Sequence, residues 1–137
     1  METRNFIWYW NFIHYSVYRF LVNQSFSRPT IHAGGIMGFL VMIIDWGIFN
    51  ISQIFFTISL SDWAFKNNNT DLIFLGIQII PAFIFNYFML FRDNKYVDYF
   101  AEFDEMKSNE KNKSFWISSV SILFIIAFFI VSFKYVR

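Results

Sequence analysis

The chain has 137 residues, no cysteine and a formal charge of +1, and 56% of it is hydrophobic and 24% aromatic. That length allows one compact unit. The missing cysteines exclude disulfides, thiolate metal sites and cysteine nucleophiles, and the near-neutral charge leaves no extended basic surface for nucleic acid. A composition this apolar, with 21 Phe, exceeds that of a water-soluble domain and points to lipid.

The apolar residues fall in blocks near 6–22, 34–60, 72–91 and 115–133, separated by short segments that hold most of the charge. Crossing a hydrocarbon layer of roughly 30 Å takes about 20 residues of helix, a length the last three blocks meet or approach. The expected fold is therefore all-α: a single domain over 1–137, built as a polytopic membrane helical bundle of four transmembrane helices. A cleaved signal peptide does not fit, because METRNFIWYWNFIHYSVYRF carries Arg4 alone at its front, polar residues through its core and no small-residue cleavage site.

In the first block Trp8, Tyr9, Trp10, Tyr15 and Tyr18 favour the headgroup level, whereas Asn11, His14 and Arg19 are costly against lipid. Positions 11, 14 and 18 share one helical face, with 15 and 19 beside it. The block reads either as a tilted span with its polar face turned into the bundle or as an amphipathic helix lying in the interface. Residues 23–33, NQSFSRPTIHA, form a turn-rich connection in which Pro29 suits the first turn of the next helix.

The second block opens on Gly34, Gly35 and Gly38, and the four-residue spacing of Gly34 and Gly38 makes a small-xxx-small face for close helix packing. Further along, GFLVMIIDWGIFNISQ places Asp45, Asn50 and Gln53 inside an otherwise apolar run. Asp45, Ser52 and Ser59 recur every seven residues with Gln53 adjoining, so they form one broad stripe, while Asn50 points elsewhere. The third block carries Pro81 near mid-membrane, where the lost backbone hydrogen bond predicts a kink.

Residues 92–114 are the one sizeable polar part, and Tyr96, Tyr99, Phe100, Phe103 and Met106 recur there at helical spacing. That pattern predicts an amphipathic soluble helix over 92–110 that continues from the third span or folds back along the surface. Its acidic cluster, Asp98 to Glu105, lacks His and loop geometry and reads as a solvent face rather than a metal site. The last block is an ordinary span closed by Lys134 and Arg137.

With four spans, the connections at 23–33 and 92–114 share one side and hold Arg28, Arg92, Lys95, Lys107, Lys111 and Lys113, against Arg4, Lys66, Lys134 and Arg137 on the other. The excess of basic residues puts 92–114 in the cytoplasm. If the first block lies in the interface instead, 92–114 stays on that side.

A carboxylate at bilayer depth faces protein or a water-filled path. For Asp45 that leaves an internal cluster with His14 or Arg19, protonation-linked use, or a ring of copies in which Asp45, Ser52 and Gln53 line a cation path. There is no HExxH, phosphate-binding glycine loop or Gly-x-Ser-x-Gly elbow, and His14 with His32 are too few for a haem or zinc site, so neither an enzyme nor a bound cofactor is expected.

The aromatic first block, the segment FNYFMLFRDNKYVDYF at 85–100 and the short last span together resemble small, functionally uncharacterised multi-pass inner-membrane proteins of Bacteroidota and related AT-rich bacteria. Some proteins of this general form resemble effectors of anti-phage defence, in which a membrane oligomer permeabilises the cell or signals to a soluble partner. The resemblance implies no catalytic residue. The expected function is an oligomeric, cation-permeable pore of a bacterial inner membrane, self-associated through the Gly34 and Gly38 face. The alternatives are a non-conducting membrane subunit that docks a cytoplasmic protein through 92–113, with Tyr96, Tyr99 and Phe103 as anchors, and a small proton-coupled carrier using Asp45 or His14.

Overall fold

The computed structural model describes residues 5–56 and 70–134. Over these the chain is helical, and no strand occurs among them. Helix α1 is Phe6–Asn23, α2 is Pro29–Phe56, α3 is Thr70–Asn86, α4 is Lys95–Glu105 and α5 is Ser108–Lys134, with a π-turn at Tyr87–Phe91 and a 3-10 turn at Arg92–Asn94 between α3 and α4. The connection 57–69, with Ser59 and Lys66, and the ends holding Arg4 and Arg137 lie outside the described residues.

Local chemistry explains the boundaries. Asn5 caps α1 by accepting from the Trp8 backbone N–H at 2.9 Å. The helix closes where Ser25 turns left-handed, with φ of 59°, and Phe26 N–H returns to the Leu21 carbonyl. Pro29 then opens α2 five residues before its apolar run, in a first turn where its missing N–H costs nothing. The helix α3 continues through Pro81 to Asn86, and α-geometry gives way only at the π-turn beyond it.

Of the two courses open to 92–110, continuation from the third block or folding back, the chain breaks from the third block before the helix starts. Asp93 and Asn94 take φ of 58° and 54°, a left-handed pair that reverses the chain between the π-turn and α4. Among non-glycine residues, Asp and Asn adopt this region at least cost, because their short polar side chains bond locally. The helix α4 ends at Met106, which is extended, and α5 starts at Ser108, seven residues before the apolar block that heralds it.

Two helices, at Pro29–Ser52 and Ser108–Lys134, are long and apolar enough to cross a membrane. Only 22% and 11% of their apolar windows are buried, so most of each faces outward rather than into a core. Phe124, Leu123, Ile130 and Val120 on α5, Phe83 on α3 and Ile48 on α2 are among the exposed side chains. Exposed apolar surface of this kind marks a face that meets lipid or another protein.

Helix α2 lies at the centre, in contact with α1, α3 and α5. It runs antiparallel to α1, with Trp10 and Ile13 against Met37 and Leu40, and antiparallel to α3, with Gly34 at Phe91 and Gly38 near Asn86. It runs parallel to α5, since Gly47 meets Phe128 and Asn50 meets Ser132. A second core forms at the end of the bundle, where Trp8, Phe12 and Tyr15 of α1 close on Phe103 of α4.

Candidate functional site

The stripe on α2 that carries Asp45 is the same stripe that carries the glycines. At about 100° per residue, Gly34, Gly38, Asp45 and Ser52 fall within a narrow sector of the helix. Its lower end packs inside the chain: a Cβ on Gly34 would stand 2.9 Å from Phe91 Cζ, and one on Gly38 would stand 3.9 Å from Asn86 Nδ2. The small-residue face therefore seats α3 and the π-turn of its own chain.

Asp45 lies two turns beyond Gly38 along that stripe and about two residues short of the Gly47–Phe128 contact, near the middle of the apolar stretch of α5. It is half-buried and has no hydrogen-bond or ion-pair partner among the described residues. Ser52 gives its hydroxyl proton to the Phe49 carbonyl at 2.7 Å and leaves its lone pairs open. The backbone of Gln53 is within α2, while its side chain and Ser59 fall outside what is described. Asn50 turns to α5 instead, donating to Ser132 Oγ at 3.4 Å.

The sequence offers His14 and Arg19 as partners for Asp45, and the structure places both elsewhere. Arg19 is exposed. The His14 ring packs on Phe91, whose ring also meets Gly34. Asp45 is eleven residues past Gly34, which is about 16 Å along the helix at 1.5 Å per residue.

His14 belongs to a separate buried polar series on α1. Asn11 donates to the Ile7 carbonyl at 2.9 Å and to the Met89 carbonyl at 3.0 Å. The second bond satisfies a carbonyl in the π-turn, where the regular ladder is disturbed. Asn86 accepts from Trp10 Nε1 at 3.3 Å. Asn11 Oδ1, both His14 ring nitrogens and Asn86 Nδ2 are buried without hydrogen-bond partners among the described residues.

Tyr96, Tyr99 and Phe103 turn toward α1 rather than outward. Tyr96 packs edge-on against His14, Phe103 is fully buried against Trp8 and Phe12, and Tyr99 stacks on Phe103. The outward side of α4 carries Asp98, Glu102 and Glu105, all exposed. Glu102 accepts from Trp8 Nε1 at 2.8 Å, and Asp104 accepts from the Tyr15 hydroxyl at 2.5 Å.

Several residues that organise the bundle give little sign of it in the sequence. Gly47 sits inside the GFLVMIIDWGIFNISQ run, and the Phe128 ring fills the space that a Cβ would take. On α5, Ser114, Ser118 and Ser132 are the buried positions, a narrow stripe of small residues along an otherwise outward-facing helix. Their spacings of four and fourteen are the signal available in advance. Among the described residues, no three His, Asp or Glu side chains come together as a metal site. Comparison of the chain with protein-family models, with curated proteins and with solved structures finds no match.

Proposed function

We propose that the chain is a multi-pass protein of a bacterial inner membrane and that its copies assemble into a cation-permeable pore along the Asp45 stripe of α2. On this reading α2, α3 and α5 cross the bilayer, α1 is inserted beside them, and residues 92–114 lie on the cytoplasmic side. The observation that carries it is Asp45, a half-buried carboxylate at mid-depth in the apolar belt with no partner among the described residues. A charge in that position calls for water or an opposite charge, and a ring of copies supplies a hydrated path that favours cations. Ser52, two turns further along the stripe, donates its proton to the Phe49 carbonyl and so can turn a hydroxyl lone pair to the same path.

The test is conductance of the purified protein in planar bilayers. Cation-selective current whose selectivity falls in Asp45→Asn supports the pore. Silence at verified insertion and oligomerisation overturns it.

A docking role for 92–113 is the second reading, and the position of α4 changes its form. With Tyr96, Tyr99 and Phe103 turned toward α1, the surface open to a cytoplasmic protein is the acidic row Asp98, Glu102 and Glu105. Charge reversal of Asp98 and Glu105 should then abolish recovery of a basic partner while leaving conductance unaffected.

A further inference from the structure

Helix α1 holds an ionisable side chain with nothing to bond to. His14 is fully buried, and neither ring nitrogen has a hydrogen-bond partner among the described residues, whichever tautomer is present. Its walls are rings: Phe100 at 5.1 Å, Phe91 at 5.9 Å and Tyr96 at 6.0 Å between centroids. Two of those three belong to α4, so one short helix forms the outer cover of the histidine. One turn back on α1, Asn11 spends its amide hydrogens on the Ile7 and Met89 carbonyls and is left with an unpartnered oxygen, Oδ1.

The cover is built like a strap. It joins the π-turn through Asp93 and Asn94, both left-handed, and joins α5 through the extended Met106. Changes of backbone angle at a few element-terminal residues are what a hinge needs. Its fastenings lie along the rim: Trp8 Nε1 to Glu102 at 2.8 Å, the Tyr15 hydroxyl to Asp104 at 2.5 Å, and Lys111 Nζ to Asp104 at 3.7 Å.

We propose that His14 is a proton-binding site covered by the α4 strap, and that proton uptake by its ring opens the α1–α4 interface. A neutral imidazole suits an aromatic nest. An imidazolium carries a charge and two N–H donors, and burying it without acceptors is unfavourable. Asn11 Oδ1 is the one nearby orphan acceptor on the same helix, which leaves the second donor facing rings. Water reaches that donor when α4 lifts.

Among the described residues, no carboxylate forms a hydrogen bond or ion pair with His14. The titratable groups near His14 are Tyr96 on α4, with Lys95 preceding it, and Tyr15 and Tyr18 on α1. Phe91 of the π-turn and Gly34 of α2 bring no charge, His32 two residues before Gly34 is exposed with Nδ1 at 2.7 Å from the Arg28 carbonyl, and Arg92 is exposed and paired with Asp93. Lys111 of α5 lies over the Tyr15 ring at 5.4 Å, and Arg19, further along α1, is exposed. Protonating Glu102 or Asp104 would loosen the rim in the same direction as charging His14, so the test separates the two sources.

Because the sequence has no cysteine, spin labels can be attached at Ala101→Cys on the exposed side of α4 and Gln24→Cys at the end of α1. Label-to-label distances are then measured in lipid nanodiscs at about pH 7.5 and about pH 5, the range in which imidazole titrates. The expected result is one short distance at the higher pH and a second, longer population at the lower. His14→Phe loses that pH dependence, as does His14→Gln if the larger ring disturbs packing. Glu102→Gln with Asp104→Asn, made together, keeps it. The proposal is overturned if the unsubstituted protein shows no shift, if the shift survives both His14 variants, or if it disappears in the carboxylate double variant with His14 intact. The measurement needs no current and stands apart from the pore.

Discussion

The α2–α5 contact and the α1–α4 contact hold helices together with opposite materials. Between α2 and α5 the decisive residues are small: Gly47 beneath Phe128, and the buried Ser132 beside Asn50. Between α1 and α4 they are large, with Trp8, Phe12, Tyr15 and Phe103 interlocked and a rim of hydrogen bonds to Glu102 and Asp104. On the proposed membrane placement, the difference follows from what surrounds each contact. In an apolar belt, burying more hydrocarbon gains little, so helices gain by approaching closely. Near water, the hydrophobic effect returns and aromatic area becomes the main source of stability.

The largest effect should come from the aromatic contact. Phe103→Ala removes a fully buried ring at the centre of the second core, and truncations of that kind cost about 3–5 kcal/mol. Hydrogen exchange should show α4 and the first half of α1 losing protection while the α2–α5 contact keeps it. Equal loss along both contacts would show that they do not act independently.

Gly47→Leu attacks the other contact by adding volume where the Phe128 ring already lies. Overpacking costs roughly 1–3 kcal/mol, read as a lower unfolding midpoint in detergent. Phe128→Ala on the same chain should restore most of the loss, because it vacates that space. Failure of the second substitution to rescue would place the damage elsewhere.

The smallest and sharpest comparison is between adjacent glycines. Alanine in a helix interior gains up to about 1 kcal/mol over glycine. Gly35→Ala should show that gain, since nothing lies within 4 Å of its Cβ position. Gly34→Ala should lose it to the Phe91 ring at 2.9 Å. A thermal scan of the two variants side by side is sufficient, and equal midpoints would remove the small-residue face from the packing.

Much of the architecture is legible in the sequence. The four apolar blocks announce four of the helices, and the periodicity of Tyr96, Phe100 and Phe103 announces the remaining one, although their aromatic face, expected to anchor a partner, packs on α1. Boundaries are less legible because polar residues can be helical: SNEKNKS reads as a loop and forms the opening turns of α5. The break at Asp93 and Asn94 has no Gly or Pro to mark it, only two residues that tolerate a left-handed backbone.

The site is legible in kind but not in pairing. Asp45, Gly34 and Gly38 stand out for physical reasons, yet helical spacing cannot say whether a face meets its own chain or a copy. Here Gly34 and Gly38 meet Phe91 and Asn86 of the same chain. His14 attracts attention as a partner for a carboxylate, and its surroundings prove aromatic because α4 reverses at Asp93 and folds back over it. The role of Gly47 is hidden because a single glycine carries no period.

The buried hydroxyl of Ser132 bears on how the bundle responds to force. Its proton goes to the Phe129 carbonyl of its own helix at 2.7 Å, so toward Asn50 it offers only a lone pair, at 3.4 Å. Loss of the long Asn50 bond would leave the Ser132 donation to Phe129 in place. Sliding of α5 along α2 would meet little polar resistance here, and would be opposed sterically where the Phe128 ring seats over Gly47.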